Sequence, residues 1–154
     1  MSEIREVWLH AHNMIRTARQ IINENLHPLN LSSAEGNILL HLWTQGHEMG
    51  QDQLVEQLDV SKPAVSRTLD ALEKKGYIAR QPNPDDKRAH RIQLTKRALE
   101  AGPAIEQIYN HIYTLAMQGI SAEEFDYFIN LFERISENFT HEQAKREGKY
   151  QNAT

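Results

Sequence analysis

The sequence predicts a mostly α-helical fold that carries one small β-hairpin. Three observations lead there. Apolar residues recur at three-four spacing through most of the chain, the period of a helix with one buried face. Serine-led capping signals precede several of those periodic stretches. A single polar, Pro/Asp-rich stretch, Gln81 to Arg88, is flanked by two short extended runs, as in a hairpin. With 154 residues, 40% hydrophobic and 25% charged, the chain suits one domain with helical extensions and can bury a real core.

The first helix spans Glu3 to Asn25. Ile4, Val7, Trp8, Ala11, Met14, Ile15, Ala18, Ile21 and Ile22 form one apolar stripe, and His27, Pro28 and Asn30 break it. A second helix opens at Ser32 or Ser33. Ser32 and Glu35 fit a capping box, in which the hydroxyl and the carboxylate satisfy free amides of the first turn. Ile38, Leu39, Leu42 and Trp43 supply its buried face, and Gly46 ends it. A short third helix runs from about Gln51 to Leu58, with Leu54, Val55 and Leu58 inward. Asp59 and Val60 turn the chain. Ser61 then caps a fourth helix reaching Lys75, with Pro63 in the first turn, where a missing amide is harmless. Ala64, Val65, Leu69 and Leu72 face inward, and Gly76 stops the helix.

Tyr77 to Arg80 and His90 to Leu94 read as the two strands of the hairpin. A fifth helix extends from Thr95 to about Gln118, with Gly102-Pro103 expected to kink it. Ser121 and Glu124 form a second capping box. It opens a sixth helix that carries Phe125, Phe128, Ile129, Phe132, Ile135 and Phe139 and reaches about Arg146. The residues from Glu147 onward read as a polar, frayed tail.

Short helices followed by a hairpin make a winged helix-turn-helix, with helical regions contributed by both termini. The brief turn at Asp59-Val60 sets the fourth helix across the third, where it can enter a DNA major groove. Ser61, Lys62, Ser66 and Arg67 crowd its N-terminal half, where the helix dipole also favours phosphate. Arg67 suits a bidentate contact to guanine, and Lys62 and the serines suit phosphates or base edges. The hairpin tip offers Lys87, Arg88 and Arg91 for a narrow minor groove, beside Asp85 and Asp86. Net charge argues the same way once it is localised. The chain totals −4, yet residues 61–97 hold ten basic and four acidic side chains, so that segment is +6 and the rest is −10.

The run LVEQLDVSKPAVSRTLDALEKKGYIARQPNPDDKRAHRIQLT resembles the DNA-binding core of the MarR family of bacterial transcriptional regulators. The specific points are the Ser-capped helix, the L-E-K-K-G-Y-I-A-R that follows it, a D-x-R wing at Asp86-Lys87-Arg88, and Leu94-Thr95 opening the next helix. The resemblance implies DNA contacts from Ser61, Lys62, Pro63, Ser66 and Arg67. It makes Arg88 the wing arginine, supported by Asp86. It also implies a homodimer formed through the first, fifth and sixth helices, bound to double-stranded DNA, and a repressor responsive to a lipophilic or phenolic anion. Trp8, His12, Ile15, Trp43 and Tyr109 are the expected lining of an effector crevice. The parts so defined are a dimerisation helix at 1–30, the winged helix-turn-helix at 31–95, dimerisation helices at 96–147 and a polar tail at 148–154.

Other classes are disfavoured. With no cysteine, a thiol sensor, a thiolate nucleophile and a Cys-ligated metal are excluded. The eight histidines include no H-x-x-x-H pair, so no metal or other cofactor is expected; a zinc-type regulator in which His41 and His47-Glu48 converge stands as an alternative. A winged helix used for protein contacts is another. No G-x-S-x-G and no glycine loop suggest an enzyme. No apolar run is long enough to span a bilayer, the N-terminus lacks signal-peptide character, and a cytoplasmic protein is expected.

Overall fold

A computed structural model describes residues 2–151, apart from the side chains of Ser2, Asp86–Ala89 and Lys149–Gln151. In chain order the elements are α1 (Ser2–Leu26), a 3-10 turn (His27–Leu29), α2 (Ser33–Thr44), β1 (Glu48–Gly50), α3 (Gln51–Leu58), α4 (Lys62–Lys74), β2 (Ile78–Asn83), β3 (Asp86–Leu94), α5 (Lys96–Ala116) and α6 (Ala122–Gln151). The chain divides into two compact units, residues 1–113 and 114–154.

The helix starts are held by the expected side chains. Ser32 Oγ accepts from the Glu35 amide while the Glu35 carboxylate accepts from the Ser32 amide, a complete capping box. Ser61 Oγ accepts from the Ala64 amide, and Pro63 sits in the first turn of α4. Asp59, in the left-handed region at φ 50°, ends α3 and produces the tight turn into α4. Gly76, at φ 81°, reverses the chain into β2, where a side chain would be strained.

The core of the first unit gathers one face from each of its helices. Leu39 and Leu42 of α2, Leu54 of α3, Val65, Leu69 and Leu72 of α4, Ile92 of β3 and Ile105 of α5 are all buried. Tyr77 joins them, and its hydroxyl donates to the Leu29 carbonyl at 2.6 Å. α5 crosses α2 closely at Gly102, where an added Cβ would collide with the Trp43 ring.

Three expectations need correction. The sheet has three strands in the antiparallel order β1-β3-β2, not two. Glu48-Met49-Gly50 is too short to show period-2 alternation, and only its pairing with Arg91, Ile92 and Gln93 makes it a strand. The hairpin turn is also shorter than composition suggests. β2 and β3 extend into the Pro/Asp-rich stretch and leave Pro84-Asp85 as the turn. β2 is an edge strand, so Pro82 removes no ladder bond that the sheet needs. Finally, α6 does not fray at Glu147 but continues to Gln151. Pairs four apart, Arg146 with Glu142 and Gln143 with Glu147, support this end in a stretch of good helix formers.

Candidate nucleic-acid interface

α4 buries Val65, Leu69 and Leu72 and therefore turns the opposite side outward. Ser61, Lys62, Pro63 and Arg67 are exposed there, and Ser66 is half-buried. Lys62 Nζ lies 3.7 Å from Asp52 of α3, a pair so exposed that its strength is about 0–1 kcal/mol, weak enough to give way to a phosphate. Among the described residues no ion pair involves Arg67. The helix thus exposes a lysine and an arginine near its N-terminus, where an approaching anion meets the positive end of the helix dipole.

The hairpin rises directly after α4. Its ladder runs regularly from Ile78↔Leu94 to Pro82↔His90 and then slips, so that Asn83 pairs with Asp86. Residues 87–89 lie on β3 within that slip. The side chains of Asp86, Lys87 and Arg88, expected at the wing tip, lie outside the described residues. Arg91 stands at the base of the wing. Its Nη2 donates to Glu48 Oε1 of β1 at 2.7 Å, and it is half-exposed, so it ties β3 to β1 and can also be reached from outside.

The charge count along the sequence overstates this surface. Lys75 donates to Glu35 at 2.8 Å and to the Asn30 carbonyl at 2.8 Å, a largely buried junction between the end of α4 and the start of α2. Arg97 donates to the Lys75 carbonyl and lies 4.6 Å over the Tyr77 ring. Arg80 is held by Asp70. Glu35, Glu48, Asp52 and Glu100 lie outside residues 61–97, yet each pairs with a base inside that segment. A window of sequence cannot count acids that only folding brings near.

The five residues expected to line an effector crevice do not share a described cavity. Trp8, His12 and Ile15 are exposed on α1. Trp43 is engaged in packing: its Nε1 donates to Glu106 at 2.9 Å, its ring stacks on His47, and it meets α5 at Gly102. Tyr109 is buried and donates to the Ser33 carbonyl at 3.2 Å; burial, aided by the nearby Tyr113, pushes its phenol above its ordinary value. The histidines considered for a metal have separate partners, Gln57 for His41 and the Trp43 ring for His47, while Glu48 holds Arg91. Among the described residues no three His, Asp or Glu side chains converge as metal ligands, and no helix is long and apolar enough to cross a membrane.

A short helix, a tight turn, a helix with an open polar face and a hairpin packed behind it define a winged helix-turn-helix. Residues 31–90 match the model of the MarR family. Solved structures agree. A mutant MarR from E. coli complexed with operator DNA is 25% identical, with a TM-score of 0.75 over 86% of this chain and 95% of that one. A putative MarR family regulator from Listeria monocytogenes, complexed with a 26mer DNA, is 22% identical, with a TM-score of 0.74 over 90% and 89%. A MarR transcriptional regulator from Methanosarcina mazei Go1 is 20% identical, with a TM-score of 0.75 over 89% and 98%.

Proposed function

We propose that this chain binds double-stranded DNA as a homodimer and represses transcription from a pseudo-palindromic operator. The observation that carries the reading is the outward N-terminal half of α4, with Ser61, Lys62, Pro63 and Arg67 exposed beside the hairpin. In this reading α4 enters the major groove, with Ser66 among its contacts. The wing residues Lys87, Arg88 and Arg91 reach the flanking minor groove, and Asp86 orients Arg88. Two of the similar structures were obtained with DNA, which supports the same use here.

Dimer formation is supported by apolar side chains left at the surface. Val7, Met14 and Ile15 of α1 are 54–63% exposed, and on α6 Phe128 and Phe132 are 54–55% exposed. Their burial against a second copy would recover the hydrophobic contribution that the single chain forgoes. A two-fold dimer sets its half-sites on the order of 10 base pairs apart or a simple multiple. A lipophilic or phenolic anion would then act by favouring a dimer geometry with the wrong lobe spacing, which takes several kcal/mol of differential affinity to be decisive.

Selection of bound duplexes from a random pool tests the core of this reading. A two-fold symmetric motif, with affinity that falls steeply as salt rises, is expected. Recovery of no enriched sequence, together with absent duplex binding at low salt, would overturn it.

A further inference from the structure

Arg80 is an unusual member of the basic segment. It lies on β2, opposite Ile92 of β3, but its side chain is only 18% exposed. Its Nη2 donates to the Asp70 carboxylate and, at 3.4 Å, to the Ser66 carbonyl, both on α4. Its Nε is buried with no hydrogen-bond partner among the described residues. A buried donor left unpaired is costly, so the arginine is poorly explained as a contributor to stability alone. Its Nη2 alone joins two points one helical turn apart on α4 to the strand that carries the wing. Asp70, which holds the other end, is 64% exposed and supports no other described ion pair.

We infer that Arg80 and Asp70 are positioning residues for DNA recognition. They fix the hairpin against the recognition helix so that the two reach their grooves at one set spacing. This rests on the DNA-binding reading above, and it takes Arg80 out of the basic face counted along the sequence. The consequence runs against simple electrostatics. Asp70 is an acid on the helix assigned to DNA, so its removal should strengthen binding if only charge mattered.

The test uses the full chain and the duplex recovered from the random pool, with a scrambled duplex beside it. Asp70→Ala is expected to weaken binding to the selected duplex by roughly 5- to 20-fold, on the scale of a lost charge pair at a recognition surface, while affinity for the scrambled duplex holds or rises. Asp70→Glu, which keeps the carboxylate, should restore most of the loss. A rise in affinity for both duplexes would make Asp70 a mere surface acid and overturn the inference. An equal fall for both, with a lowered Tm, would make the pair merely structural and also overturn it. Failure of the wild-type chain to select any duplex would instead overturn the DNA-binding reading.

Discussion

At the level of single residues, the structure separates side chains that pack from those that face outward. Gly102 shows the first kind. α2 and α5 approach so closely that a Cβ there would enter the Trp43 ring, which Glu106 and His47 hold in place. Gly102→Ala should therefore destabilise the fold by about 1–3 kcal/mol, despite alanine's better helix propensity. Urea unfolding followed by circular dichroism will measure it, and an unchanged midpoint would mean that Trp43 can move aside. Arg67 shows the second kind: it is exposed and carries no described ion pair. Arg67→Ala should relax base preference at one position per half-site by roughly 1–3 kcal/mol. Equal loss on every sequence would instead identify a phosphate contact. Arg88→Ala should weaken binding to the selected duplex by a similar amount, about 1–3 kcal/mol, without changing the Tm. An unchanged affinity in titrations would dismiss the wing assignment. Gly102 was legible in the sequence only as a possible kink beside Pro103, because its close neighbour is 59 positions away. The outward position of Arg67 followed from helical spacing alone, since it depends only on local geometry.

At the level of elements, the caps were the most legible features, because a capping box lies within four consecutive residues. Ser121 Oγ accepts from the Glu124 amide, and Glu124 Oε2 accepts from the Ser121 amide at 2.8 Å. That backbone hydrogen bond, and then the serine hydroxyl's, hold the Glu124 carboxyl below its ordinary value of 4.5. A depressed carboxylate contributes stability that is fully present above its unfolded pKa and is lost as pH falls through the folded one. The first turn of α6 should then fray as pH drops below the ordinary glutamate range while the rest of the helix persists. Amide exchange at Ser121–Phe125 will report it, and Ser121→Ala should already show the frayed behaviour at neutral pH. Protection that stays constant well below that range would refute the coupling. By contrast, β1 was missed because three residues carry no period, and the strand exists through its pairing with β3. The hairpin turn was drawn too long for a related reason: Pro82 looks like a strand breaker until β2 is known to lie at the edge of the sheet.

At the level of the whole molecule, each compact unit leaves apolar surface unburied. Val7, Met14 and Ile15 do so in the first unit, and Phe128, Phe132 and Ile135 in the second. The same stripes that mark these helices in the sequence thus remain open in a single chain. The proposed dimer gives them a partner, and Phe128→Glu tests it. Sedimentation equilibrium should show a shift from dimer toward monomer, with a loss of dimer affinity of at least about 2 kcal/mol for a buried aromatic replaced by a charge. A wild-type chain that is already monomeric at micromolar concentration, or a variant that stays fully dimeric, would remove α6 from the interface.

The sequence by itself determined the helices, their caps, their order and the outward face of α4, because each follows from periodicity or from hydrogen bonds within a few residues. Tertiary structure decided which charges are free. Lys75, Arg80 and Arg97 read as part of a basic face, yet folding brings Glu35 and the Asn30 carbonyl to the first, Asp70 to the second, and the Lys75 carbonyl and the Tyr77 ring to the third. Coulombic and hydrogen-bond energies depend on distance in space, and separation along a chain does not report that distance.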